Sequence, residues 1–168
     1  MQAVRYYTPA QLKEMTDNRR QEFAAFFQKL KKKKPAKLDQ LVHELHNEAF
    51  EQFDCLDCAN CCSSISPIIR EKDMERLAKV QRIKVSEFIA RHLRIDEDRD
   101  FVFKQTPCPF LMPDKHCCVY QDRPRACREY PHTDRSRFYQ LLPLTLKNCE
   151  VCPVVFAITD ELKMRMID

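Results

Sequence analysis

Glycine and tryptophan are both absent from this chain of 168 residues. Glycine normally makes up about 7% of a protein, so every backbone position that needs a positive φ must be filled by a residue carrying a Cβ, at a steric cost. Asn60, inside a cysteine-rich loop, is the expected candidate. Without glycine there can be no glycine-rich phosphate cradle and no dinucleotide-binding fingerprint. Long apolar runs are missing too. The longest, around Val151 to Ile158, is far short of the roughly 20 residues that span a bilayer. Neither sign of charge dominates, because 29 Lys and Arg stand against 25 Asp and Glu. A net +4 is too mild to point to nucleic acid. The opening Met1-Gln-Ala-Val-Arg-Tyr-Tyr-Thr-Pro9 has no apolar core of a secretory signal. The expectation is a cytoplasmic protein with no membrane or nucleic-acid partner.

What the chain does have is cysteine. There are ten, none before Cys55. Four fall in Cys55-Leu-Asp-Cys58-Ala-Asn-Cys61-Cys62, and Cys-x-x-Cys loops turn both sulfurs toward one point where a metal can sit. In a reducing compartment such clusters read as metal ligands rather than disulfides. Four thiols in one loop, with a third at the same spacing and a fourth beside it, overfill a single tetrahedral site. More than one metal, or a multi-iron cluster with remote ligands, is implied.

The periodicity predicts a mainly α-helical fold with little β structure. Thr8 caps a first helix with Pro9 at its first position, and the helix runs to the lysines at 31–34. Those lysines suit a helix C-terminus and need no anionic partner. A second helix is expected over 36–53, forming with the first a hairpin that spans 1–54 and belongs to the same domain as a cysteine-cluster region at 55–168. His43 and His46 on that second helix read as surface residues. Further helices are expected over 71–81 and from Ser86, as cap, to about Leu93. A short strand is expected at Phe101–Phe103, and a last amphipathic helix over 153–166. Acidic Asp96–Asp100 lacks the glycine and distal glutamate of a calcium loop and reads as a turn. The second cysteine block, Cys108 to Tyr120, reads as two extended pieces around a turn at Pro113-Asp114-Lys115. Residues 138–146 read as apolar and proline-broken, and Pro124 as the start of one or two helical turns.

Cys55-x-x-Cys58-x-x-Cys61-Cys62, Cys108-Pro-Phe-Leu111, Cys117-x-Val-Tyr120 and Arg123-Pro124-x-x-Cys127-Arg128-x-Tyr130-Pro131 together resemble the cysteine-cluster family described as putative zinc- or iron-chelating domains. The resemblance implies a bound zinc or iron, or an iron–sulfur cluster. It marks Cys55, Cys58, Cys61, Cys62, Cys108, Cys117, Cys127 and Cys152 as metal ligands, enough for two four-thiolate sites. Cys118 and Cys149 are left over and are expected to be small buried hydrophobes. Flagellin lysine methylases have a similar cysteine pattern holding an iron–sulfur cluster. This suggests a protein-modifying enzyme as an alternative, although no S-adenosylmethionine signature is visible. A metal-stabilised interaction module is the other alternative. Ala59 and Asn60 stand where the family commonly has glycine.

Zinc and iron–sulfur chemistry both suit this donor set. Bacterial ferredoxins pair Cys-x-x-Cys-x-x-Cys with a remote Cys-Pro, which Cys55, Cys58, Cys61 and Cys152-Pro153 imitate. Four thiolates on zinc leave a charge of −2, which calls for nearby cations. Arg123 and Arg128 are candidates, set against pairing with Asp122 and Glu129. His116 and His132 read as surface or hydrogen-bonded histidines, and Tyr120 and Tyr130 as core aromatics. Cys127 beside Arg128 also has the local pattern of an activated nucleophile, a role that competes with ligation.

Overall fold

Helix formation begins where local chemistry dictates it. The Thr8 hydroxyl accepts from the Gln11 N–H while the Gln11 side chain accepts from the Thr8 N–H, a reciprocal cap that satisfies two orphan donors. The resulting α1 (Pro9–Lys33) ends at Lys34 in the left-handed region, with φ 41°, a place usually taken by glycine. The computed structural model describes residues 4–166. After α1 come α2 (Leu38–Phe50), α3 (Cys55–Cys58), α4 (Asn60–Ser64), α5 (Glu71–Gln81), α6 (Val85–His92), β1 (Leu93–Ile95), β2 (Phe101–Phe103), α7 (Arg125–Glu129), α8 (Leu142–Asn148) and α9 (Pro153–Met166). The fold is mainly α, as the periodicity predicts. No helix among the described residues is long and apolar enough to cross a membrane.

Contacts divide the chain into two compact units, one of Met1–Asp54 with Pro131–Asp168 and one of Cys55–Tyr130. Residues 131–168 complete the first unit.

In that first unit α9 supplies the packing surface. It packs on α2 and on α1, and α1 also packs on α8, so both N-terminal helices lean on α9. Its apolar stripe Val154, Val155, Ile158 and Leu162 is at most 1% exposed, and Phe156 meets Phe23 of α1 edge to face. Ion pairs rim it: Arg19 with Asp160 at 2.6 Å, Arg165 with Glu48 at 3.1 Å, and Lys163 with Glu22. Residues 138–146, read as merely apolar, form a 3-10 turn and α8, with Pro143 tolerated in the first turn, where its missing N–H costs nothing.

The second unit is built on α5, α6 and a two-stranded antiparallel ribbon that pairs Leu93 with Phe103 and Ile95 with Phe101. Its core joins Met74, Leu77, Phe88, Phe103, Phe110 and Val119, with Cys108 and Cys117 packed against it. Leu93 opens a strand rather than closing a helix, because its backbone pairs with Phe103. Ser86 lies inside α6, whose cap position is Lys84. The Asp96 carboxylate accepts from the N–H groups of Asp98 and Asp100. The acidic loop is a self-bonded turn.

Candidate metal centre

Two short helices, α3 and α4, carry the first four cysteines, where the sequence suggested irregular loop. The hinge between them is Ala59, at φ 52° and ψ 15°. The positive-φ residue is therefore Ala59 and not Asn60, which is already helical. The Ala59 N–H reaches back to the Cys55 carbonyl at 3.1 Å and the Ser63 N–H to the Ala59 carbonyl at 3.0 Å. The chain must reverse between those two bonds, which leaves Ala59 as the residue that bends.

Three later segments bring their thiols toward Cys62. The Cys108 N–H donates to the Cys62 carbonyl at 2.8 Å, fixing the second block beside the first. Leu111 and Cys117 face each other across an antiparallel bridge, with the Met112 N–H on the His116 carbonyl at 2.8 Å and Lys115 in the left-handed region at φ 68°. These are the extended pieces and the turn expected from sequence. Cys127 arrives on α7.

Electrostatics shows that these thiols share one neighbourhood. Burial pushes Cys108 up to about 11, with repulsion from Cys62, Cys117 and Cys118 adding to it. Cys127 is pushed up to about 12, first by burial and then by Cys62, Cys108 and Cys117. Burial likewise raises Cys58 and Cys117. Cys62 goes the other way, lowered to about 7 by the hydrogen bond from the Cys61 thiol, whose sulfur lies 3.9 Å away. The raised Cys127 thiol runs against the low pKa that an activated nucleophile needs.

Among the described residues no three His, Cys, Asp or Glu donors stand converged as a finished metal site. The donor set nonetheless fits zinc or iron: soft sulfurs, mutually repelling when ionised, whose protons a cation would displace.

The remaining candidates sort as follows. Cys55 is exposed, and Cys58 and Cys61 are half-buried. Cys152 is buried but lies in the other unit. Cys149 is fully buried, its sulfur 3.4 Å from the Thr159 hydroxyl, as expected of a small hydrophobe. Cys118 is exposed, contrary to that expectation, because its neighbour Val119 takes the inward position in the core. Tyr120 is also exposed, at 37%, and lies under the Arg123 guanidinium at 3.8 Å. Arg123 draws the Cys117 and Cys127 pKa values down against burial, so it acts on the thiols as a cation. Arg128 instead donates to the Arg123 carbonyl, and Glu129 pairs with Arg125 at 2.6 Å. His116 is exposed and bonded within its own turn to Asp114. His43 is exposed, while His46 is half-buried with its Nδ1 2.7 Å from the Thr133 hydroxyl. Sequence reading overlooked Asp73 and Arg76, which hold the Cys127 segment. Their only signal was a carboxylate and a guanidinium one helical turn apart.

A family model described as "Putative zinc- or iron-chelating domain" matches residues 54–153. No curated protein and no solved structure gave a match.

Proposed function

The chain belongs to the CxxCxxCC family of putative zinc- or iron-chelating domains, and we propose that its cysteine thiolates hold zinc or an iron–sulfur cluster in two groups. Cys62, Cys108, Cys117 and Cys127 form one group. Cys55, Cys58 and Cys61 begin the other, and the family's cysteine pattern marks Cys152 as a further ligand. The observation that carries this reading is the backbone bond from Cys108 to Cys62, which brings separate cysteine blocks together before any metal is considered.

Zinc held by four thiolates is closed to substrate and stabilises the fold, whereas an iron–sulfur cluster supplies an electron. In either case this chain's residues supply the surroundings. Arg123 offsets the negative charge of the thiolates, and the apolar residues beside Cys108 and Cys117 limit access of water.

Protein purified without oxygen would be assayed for zinc, iron and acid-labile sulfide, alongside its visible spectrum. Brown protein with iron and sulfide identifies the cluster form. Colourless protein with about two zinc ions identifies two closed sites. Absence of both after anaerobic reconstitution would overturn the proposal.

A further inference from the structure

The segment that delivers Cys127 cannot hold itself in place. Pro124 has no N–H to donate and keeps Arg123 out of the helical region, and Arg123 adopts φ −55° and ψ 150°. The helix that follows, α7, has five residues, well below the length at which helices persist on their own bonds. Something outside the segment has to fix it.

That support comes from two side chains on α5. The Asp73 carboxyl is 3% exposed, and its Oδ1 accepts from the N–H of Arg125, the first residue of α7, at 3.0 Å. Its Oδ2 accepts from the Arg70 N–H at 3.2 Å. Arg76 donates from Nη2 to Asp73 Oδ1 at 2.6 Å and to the Arg123 carbonyl at 2.9 Å, and from Nε to the Asp122 carbonyl at 2.9 Å. The planar guanidinium spans two successive carbonyls, and a lysine ammonium has no such fork. Together the pair holds three backbone groups of residues 122–125, directly before Cys127.

We infer that Asp73 and Arg76 are positioning residues for metal binding, setting where the Cys127 thiol stands relative to Cys62, Cys108 and Cys117. This rests on the proposed metal function. It goes beyond the cysteine pattern by assigning part of the site's affinity to an ion pair that offers the metal no ligand. Partners that orient ligands without touching the metal typically govern affinity by about 10–100-fold.

The test uses the full chain, stripped of metal and titrated anaerobically with zinc(II) against a chromophoric chelator. Arg76→Lys keeps the charge but loses the fork, and Asp73→Asn is nearly isosteric. Each is expected to weaken zinc binding about 10–100-fold and to speed amide exchange from Arg125 to Tyr130 in the metal-free protein. Exchange in α6 stays unchanged, which shows that the unit is still folded. Repeating Arg76→Lys in a Cys127→Ser background separates positioning from general support, because residues acting through one another are not additive. No further loss in that background is expected. Equal losses in both backgrounds, or affinity unchanged in the native background, would overturn the inference while leaving the metal function standing. Native protein that takes up no zinc would remove the metal function and this inference with it.

Discussion

Cys108 and Cys62 are joined through their backbones, N–H to carbonyl at 2.8 Å, and not only through a metal their sulfurs would share. The meeting of the two cysteine blocks is thus a property of the polypeptide, held by a core in which Cys108 and Cys117 pack beside Phe110 and Val119.

That arrangement sets the response to metal removal. Adding zinc or iron to stripped protein is expected to slow amide exchange over residues 55–64 and 108–130, with little change in α1 and α2, since metal-binding energy appears as local folding energy. Uniform protection along the chain would contradict this, and exchange mass spectrometry would show it.

Thiol alkylation should divide the cysteines by environment. Cys118, exposed, is expected to react with iodoacetamide with or without metal. Bound metal is expected to protect Cys62, Cys108, Cys117 and Cys127. Cys149, fully buried and pushed up to about 12 by burial, is expected to stay unmodified until denaturant is added. Peptide mapping reads each site.

Ala59 adopts φ 52°, a left-handed conformation costing a residue with a Cβ roughly 1–2 kcal/mol. Replacement by glycine removes that cost but adds freedom to the unfolded chain. Ala59→Gly is expected to stabilise the protein by about 0.5–1 kcal/mol, measured as a higher urea midpoint with unchanged slope. A lower midpoint would show that the strain is absent.

Phe88 is completely buried and stacks in a cluster with Phe110 and His92. Phe88→Ala is expected to cost about 3–5 kcal/mol and to weaken metal binding as well, because the same core supports Cys108 and Cys117. Calorimetry of the metal-free variant, set beside its zinc affinity, checks both effects.

Acid should weaken the first unit. Burial lowers the pKa of His46, with His43 acting in the same direction and Asp134 opposing it. The unfolded state therefore binds the proton more readily, and stability rises with pH through this window. The contribution is present above the unfolded value of about 6.5 and falls as pH drops through it. Glu22, held down to about 2 by Arg19 and Lys163, adds a loss below about 4.5. Its carboxylate is 39% exposed, so screening keeps that loss under about 1 kcal/mol. Urea unfolding from pH 8 to 5 should show the histidine slope, and His46→Asn should flatten it.

The features legible in the sequence were those set by chemistry near each residue. The cap at Thr8 and Pro9 depends on atoms three residues away. The turn at Pro113-Asp114-Lys115 depends on proline and on a single left-handed residue. Thiol spacing marked the metal family because sulfur's affinity for soft cations belongs to the residue type. Tertiary structure decided whatever depends on which faces meet. The α1 and α2 stripes were visible, but their common partner α9 was not, because an apolar stripe does not name the surface that covers it. Val119's claim on the core sent Cys118 outward. The chain reversal between the Cys55 and Ser63 bonds placed the bend at Ala59 instead of Asn60. The Asp73–Arg76 pair looked like an ordinary helix-surface contact in sequence. Only the fold laid the carbonyls of Asp122 and Arg123 and the Arg125 N–H against it.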